Sequence, residues 1–316
     1  MIIYIYILVA FLLFRIFQRL YFLIKGHPFL PWRFVPSEKM RSLIKVNNIS
    51  YAEYWTENKR DDTKIFYRSI GRGSRKVLLA NGVGTNFYMW FAIFYALAKL
   101  FPQVFDEITI IAPVYRGLLL KDSIPFRRVR ITLSDCVDDV LAVLQHCKLK
   151  SVDTIIGWSM GAQIALLLCS KHPKITNKLF LLNPSTGKTL HTTLQPFRPG
   201  PPLFGQILSG AIHSARDILQ PVCDTFLWSA LKSFAASEPF YLILCLLAFL
   251  TGAPPTQPAY FFDYMQDVFS SRSHTKHLLD LVVSLDEALP IEALHLPHKA
   301  VIASGKGAAG GESGTD

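Results

Sequence analysis

The stretch from Thr154 to Ala162, Thr-Ile-Ile-Gly-Trp-Ser-Met-Gly-Ala, constrains this chain more than any other. A β-branched run ends in Gly-x-Ser-x-Gly, and an apolar helix-forming segment, Ala162 to Cys169, follows without a break. A strand feeds straight into a helix only through a sharp turn. The turn holds the serine in a strained conformation and lifts its hydroxyl clear of the sheet. Gly157 and Gly161 stand where strand and helix pass too close for side chains. The amide of Met160, at the start of the helix, lacks an intrahelical acceptor and is available to a developing oxyanion. Ser159 is therefore the candidate nucleophile.

The segments around this turn alternate between apolar strands and amphipathic helices. Val46–Trp55 and Ile65–Ile70 are expected as two early strands joined by the polar turn Asn58–Asp62. Val77–Ala80 is a short strand running into Asn81-Gly82-Val83-Gly84, followed by a helix over about Asn86–Leu100. Ile108–Val114 is a further strand, ending at Tyr115-Arg116-Gly117, and a helix opens at Ser134 with Val137, Val140, Leu141 and Leu144 on one face. Leu179–Leu182 and Lys299–Ser304 complete the strands. Strands that are apolar along their whole length imply a mostly parallel, doubly wound α/β sheet covered on both faces. Ligands of such sheets bind at the carboxyl ends of the strands, where Gly82–Gly84, Tyr115–Gly117, Ser159 and Asn183 fall.

Between about Thr189 and Leu289 the pattern changes to proline clusters and helix-like pieces, read as a helical cap inserted into the sheet domain. Its most apolar run, Phe240–Leu250, is too short to span a bilayer. A buried cap helix is favoured over a lid dipping into a lipid surface. The expected organisation is residues 1–24 as a membrane anchor, 25–188 and 291–305 as the sheet domain, 189–290 as the cap, and 306–316 as an irregular tail.

The anchor reading rests on Met1–Phe14, which carries no charge, and on Leu20–Ile24 beyond Arg15 and Arg19. Those arginines lie four apart on one helix face and can snorkel to the headgroups together. A cleaved signal peptide is the competing reading, but no basic residue precedes the apolar run and no small-residue cleavage site follows it. Lys25, Arg33, Lys39, Arg41 and Lys45 place the body on the cytosolic side by the positive-inside rule, against the sequon Asn48-Ile49-Ser50. The five cysteines are an odd number without paired or metal-ligand spacing and read as reduced core residues. The net charge of +10 is spread along the chain, with Arg127-Arg128-x-Arg130 its tightest cluster. That pattern fits anionic headgroups better than nucleic acid.

Taken together, the elbow at Gly157–Gly161, the Asn81–Gly84 loop and the Tyr115–Gly117 turn resemble the α/β-hydrolase superfamily over about Ile65–Leu182, with a weaker likeness at Lys299–Gly305. The resemblance implies a serine hydrolase acting on a carboxylic ester or thioester, a small-molecule substrate that is lipid-like given the anchor and the apolar cap. It makes Ser159 the nucleophile. Met160, together with Val83 or Gly82, supplies the oxyanion hole. Many members carry His-Gly where this chain has Asn81-Gly82. The turn at Tyr115–Gly117, mainly structural in the family, has Pro113 or Val114 where an aspartate is common. The family's acid and histidine follow the strand at 299–304, where the sequence turns glycine-rich and resembles a truncated or aberrant end, so acid and base are both unassigned. No metal or organic cofactor is implied. The alternative is a catalytically dead, membrane-bound binding or regulatory module with the same fold.

Overall fold

The computed structural model describes residues 36–83, 87–116, 131–184, 210–211, 213–214, 216–218, 221–222, 225–251, 259, 262–263, 272–285 and 299–303. The anchor expected at 1–24 and the tail at 306–316 lie outside the described residues. Among the described residues, no helix is long and apolar enough to cross a membrane.

The strands are β1 (Tyr51–Asn58), β2 (Thr63–Ile70), β3 (Arg75–Ala80), β4 (Ile108–Pro113), β5 (Thr154–Trp158), β6 (Lys178–Leu182) and β7 (Lys299–Ala303). They form a seven-stranded sheet in the order β1-β2-β4-β3-β5-β6-β7. From β4 to β7 every neighbouring pair is parallel, whereas β1 and β2 add an antiparallel margin. The mostly parallel sheet expected from the sequence is present. Its hairpin β1–β2 is shifted, because Pro36–Val46 folds as helix α1 and Asn48, at φ 49°, turns the chain into β1 only at Tyr51.

Side chains alternate across a strand, so each central strand supplies both faces of the sheet. Leu78, Ile111, Ile155, Leu179 and Leu181 point to one face, where α4 (Leu133–His146) and α5 (Met160–Lys171) pack. Leu79, Ile110, Ala112, Ile156, Trp158 and Leu182 point to the other, under α1 and α2 (Phe91–Leu100). Short helix α3 (Val104–Glu107) adds Phe105 to that second layer, stacked 5.9 Å from Phe94. Apolar residues on both faces are what a doubly covered sheet requires.

Helix α4 begins one residue before the expected Ser134. Thr132 is its N-cap in a reciprocal box with Asp135: the Asp135 amide donates to Thr132 Oγ1 at 3.2 Å, and the Thr132 amide donates to Asp135 Oδ2 at 2.9 Å. The turn after β4 is stitched to this helix. Arg116 Nε donates to Asp139 Oδ2 at 2.7 Å and Arg116 Nη1 to Asp61 Oδ2 at 2.6 Å, while Asn58 Nδ2 donates to Asp139 Oδ1 at 2.9 Å. Arg116 and Asp139 also meet through a second guanidinium contact, and their side chains are 7% and 1% exposed. This buried cluster ties β4, α4 and the β1–β2 hairpin together, the structural role expected of Tyr115–Gly117.

Within the inserted region, α6 (Leu227–Ala235) and α7 (Glu238–Thr251) form a helical pair joined by the Phe234–Phe240 ring contact at 5.3 Å. Here the structure corrects the expectation of a buried Phe240–Leu250. Cys245 is buried, but Leu242, Ile243 and Leu246 are 49%, 43% and 54% exposed. Among the described residues, α7 meets Phe262 through Phe240 and Tyr241, while Leu242, Ile243 and Leu246 stay exposed. Helix α8 (Arg272–Ser284) returns toward the sheet domain, where Leu281 and Leu285 join the same core cluster as α5.

The buried Arg116 cluster and the exposed Arg72–Asp106 pair are expected to differ in what their loss costs. Asp139→Ala strands a buried guanidinium on one side and is expected to cost about 3 kcal/mol in urea unfolding. Asp106→Ala, which breaks the exposed 2.7 Å pair with Arg72, is expected to change little. Burial alone would raise the carboxyls of Asp61 and Asp135. Hydrogen bonds from Arg116 and Thr63 to the first, and from Thr132 to the second, outweigh it and hold both below the usual carboxylate range. Folded-state values below the unfolded ones mean that their stabilisation is full above about pH 4 and is lost as pH falls through the folded values. Unfolding free energy measured against pH should therefore drop on the acid side, and Asp61→Asn should flatten that drop.

Candidate active site

Strand register brings the candidate residues to one place. Ala80 pairs with Gly157 across β3–β5, and Trp158 pairs with Leu182 across β5–β6. Ser159 therefore leaves the sheet with the Asn81–Val83 loop on one side and Asn183 on the other. The Ser159 amide donates to Leu182 O at 3.0 Å, which anchors the elbow on β6.

Ser159 adopts φ 53° and ψ −118°, a region that side-chain-bearing residues avoid. Such a conformation costs about 1–3 kcal/mol and persists only where the surroundings enforce it. The enforcement is visible at the two glycines. A Cβ on Gly157 would lie 2.7 Å from Gly161 O and 2.8 Å from Ala162 Cα. A Cβ on Gly161 would lie 2.0 Å from Ala80 O and 2.6 Å from Asn81 O. Helix α5 thus lies directly against the backbone at the end of β3, and the chain can enter it from β5 only through a left-handed residue. The Ser159 hydroxyl makes no capping bond to its own helix, and the residue is partly exposed. Both are what a nucleophile requires.

Met160 has its side chain fully buried in the core while its amide occupies the first position of α5. Helix N-terminal amides have no acceptor within the helix and carry the positive end of its dipole. Gly82 is buried, and Val83 packs against the core cluster that contains Met160. The structure thus brings Gly157, Ser159, Met160, Gly161, Gly82 and Val83 together. Gly84 lies outside the described residues, as do His191, His295 and His298.

The remaining described histidines are elsewhere. His172 caps the far end of α5, thirteen residues and about 20 Å from Ser159. His146 ends α4 and meets Tyr67 OH at 2.8 Å, on a strand three places from β5 in the sheet. His213, His274 and His277 lie between β6 and β7 in the chain, the last two on α8. Burial pushes the Cys169 thiol, deep in α5, up to about 11, so it is no thiolate nucleophile at neutral pH. A cavity of about 360 Å³ lined by Ser50, Arg72, Phe105 and Asp106 lies at the edge where the parallel strands begin, and holds none of the elbow residues.

One residue of the site was not singled out by the sequence. Asn81 is 2% exposed, and its side chain is turned inward. Its Nδ2 donates to Pro113 O at 3.2 Å, its Oδ1 accepts from Trp90 Nε1, and its carbonyl accepts from Tyr115 OH at 2.9 Å. The only signal was an asparagine where the resembling family often has histidine.

Residues 76–220 match the family model of the alpha/beta hydrolase fold. Among solved structures, an esterase from Exiguobacterium antarcticum superposes with a TM-score of 0.50 at 21% identity, covering 78% of this chain and 79% of that one. A probable hydrolytic enzyme from Pseudomonas aeruginosa PAO1 gives a TM-score of 0.48 at 14% identity, covering 81% and 72%. An epoxide hydrolase from Vigna radiata gives 0.35 at 20% identity over 43% of this chain, and this chain spans only 38% of it. An open, mostly parallel sheet with a strained serine between β5 and the following helix defines a class of fold and site. Residues 76–220 of this chain match that family, and the sheet domain has the α/β-hydrolase fold.

The strain at Ser159 generates a test independent of activity. Ser159→Gly relieves the positive φ and is expected to stabilise the protein by about 1 kcal/mol in urea unfolding, whereas Ser159→Ala, which keeps the strain, leaves stability nearly unchanged.

Proposed function

We propose that the protein is a serine hydrolase of carboxylic esters or thioesters, with Ser159 as nucleophile. The observation that carries this reading is the left-handed serine at φ 53°, held beside a free helix N-terminus. Ser159 Oγ attacks the acyl carbon, and the carbonyl electron pair moves onto oxygen. The Met160 amide and an amide of the Gly82–Val83 loop receive that oxyanion. Collapse of the tetrahedral intermediate expels the alcohol or thiol, which takes up a proton, and leaves an acyl-enzyme on Ser159. Water then attacks the same carbon and releases the acid. By the family's chain order the general base would follow β7, but residues 304–316 contain no histidine, so acid and base stay unassigned.

A lipid-like substrate and a membrane location extend the proposal. They are supported by the uncharged run Met1–Phe14 and by the apolar side chains that α6 and α7 leave uncovered, including Leu231, Phe234, Leu242 and Leu246. The basic residues from Lys25 to Lys45 favour a catalytic body on the cytosolic side of that membrane.

Hydrolysis of p-nitrophenyl esters from butyrate to palmitate tests both parts. Turnover is expected to rise with acyl length, and Ser159→Ala is expected to lose at least about a thousandfold. A flat length profile contradicts the lipid preference alone. Hydrolysis unchanged in Ser159→Ala, or absent in the unaltered protein, contradicts the serine hydrolase and leaves a binding module on the same fold.

A further inference from the structure

We propose that Asn81 is a positioning residue for the reaction at Ser159, setting the oxyanion loop against the nucleophile elbow; the inference rests on the serine hydrolase reading.

Three hydrogen bonds from three different elements converge on this one buried residue. Pro113, at the end of β4, is held through its carbonyl; Trp90, in the 3-10 turn Phe87–Trp90 before α2, through its indole; Tyr115, after β4, through its hydroxyl. The amide of Asn81 both donates and accepts, so its orientation is fixed by the chemistry of its partners: the oxygen faces the indole N–H and the nitrogen faces a carbonyl. Burial holds the Tyr115 phenol protonated well above its usual range, which keeps it a donor to Asn81 O at all working pH.

The placement of these bonds matters more than their number. Asn81 O lies within contact of Gly161, in the first turn of α5. Trp90, which holds the Asn81 side chain, sits 6.2 Å edge-on from Trp158, the residue before Ser159. Asn81 therefore touches the elbow helix directly and the elbow strand through Trp90, while Gly82 and Val83 follow it immediately in the chain. A trans peptide is planar, so holding the Asn81 carbonyl on Tyr115 fixes the plane that carries the Gly82 amide. The two halves of the oxyanion hole, one from the β3 loop and one from α5, are held in mutual register by this residue. Displacement by about 1 Å at such a joint lowers rates by about a hundredfold without removing any contact to substrate.

Stopped-time labelling with a fluorophosphonate, read as the bimolecular reaction at Ser159 split into a maximal rate and a half-saturating concentration, tests this. Asn81→Ala is expected to lower the maximal rate by about ten- to a hundredfold with the half-saturating concentration within about threefold. Asn81→His, which can accept from the indole and donate to the Pro113 carbonyl, is expected to recover most of the rate. Phe105→Leu, in the packed layer at the opposite edge of the sheet, is the control for lost stability alone. A maximal rate in Asn81→Ala no lower than in that control overturns the proposal, as does failure of Asn81→His to improve on alanine when both are folded. Absence of labelling in the unaltered protein instead removes the hydrolase reading, and this inference with it.

Discussion

The contact between Gly161 and the backbone of Ala80 is the constraint on which the rest of this structure depends. There the first turn of α5 rests on the end of β3, with no room for even a methyl group. Because β5 pairs with β3 directly, the chain leaving β5 must reverse into that helix within one residue. Ser159 is that residue, and its left-handed conformation is the geometric consequence. The strain that would be a defect elsewhere is here produced by close packing on both sides of the elbow. Exposure of the hydroxyl, the orphan amide of Met160 and the nearness of the Asn81–Val83 loop all descend from the same approach.

Around that joint the molecule uses two kinds of support. The two apolar layers hold the sheet by area, each central strand feeding both faces. The loops that carry the site are held by polar bonds at buried positions: Asn81 by Trp90, Pro113 and Tyr115, and Arg116 by Asp139 and Asp61. Adjacent residues Tyr115 and Arg116 thus serve different joints, one bonded to the Asn81 carbonyl and the other fixing the turn to α4. Loops positioned by a rigid scaffold are where chemistry is expected, and here the scaffold reaches them through hydrogen bonds and not through apolar contact alone.

The elbow was legible in the sequence because its requirement is steric: only glycine fits at Gly157 and Gly161, and only a strand and a helix fit on either side. The parallel strands were legible for a related reason, since burial on both faces leaves uninterrupted apolar runs. Helix α1 was hidden because its stripe of Met40, Leu43 and Ile44 is brief and set among charged residues, and because Val46 reads equally well as the start of a strand. The exposure of α7 was hidden for another reason. Composition tells how apolar a helix is, but not how many of its sides find a neighbour. Asn81 was the hardest to see. An asparagine beside a glycine suggests an open turn, and only the inward partners Trp90 and Pro113, nine and thirty-two positions away, reveal it as a buried joint.

The central claim, that packing thrusts one hydroxyl out to take up an acyl group, is most directly tested by trapping that group. The protein is mixed with a long-chain p-nitrophenyl ester, quenched in acid within the first turnover, digested, and its peptides weighed. The account predicts the acyl mass on the peptide containing Ser159 and on no other. An acyl group on a different residue, or product release with no covalent species at any quench time, would contradict it.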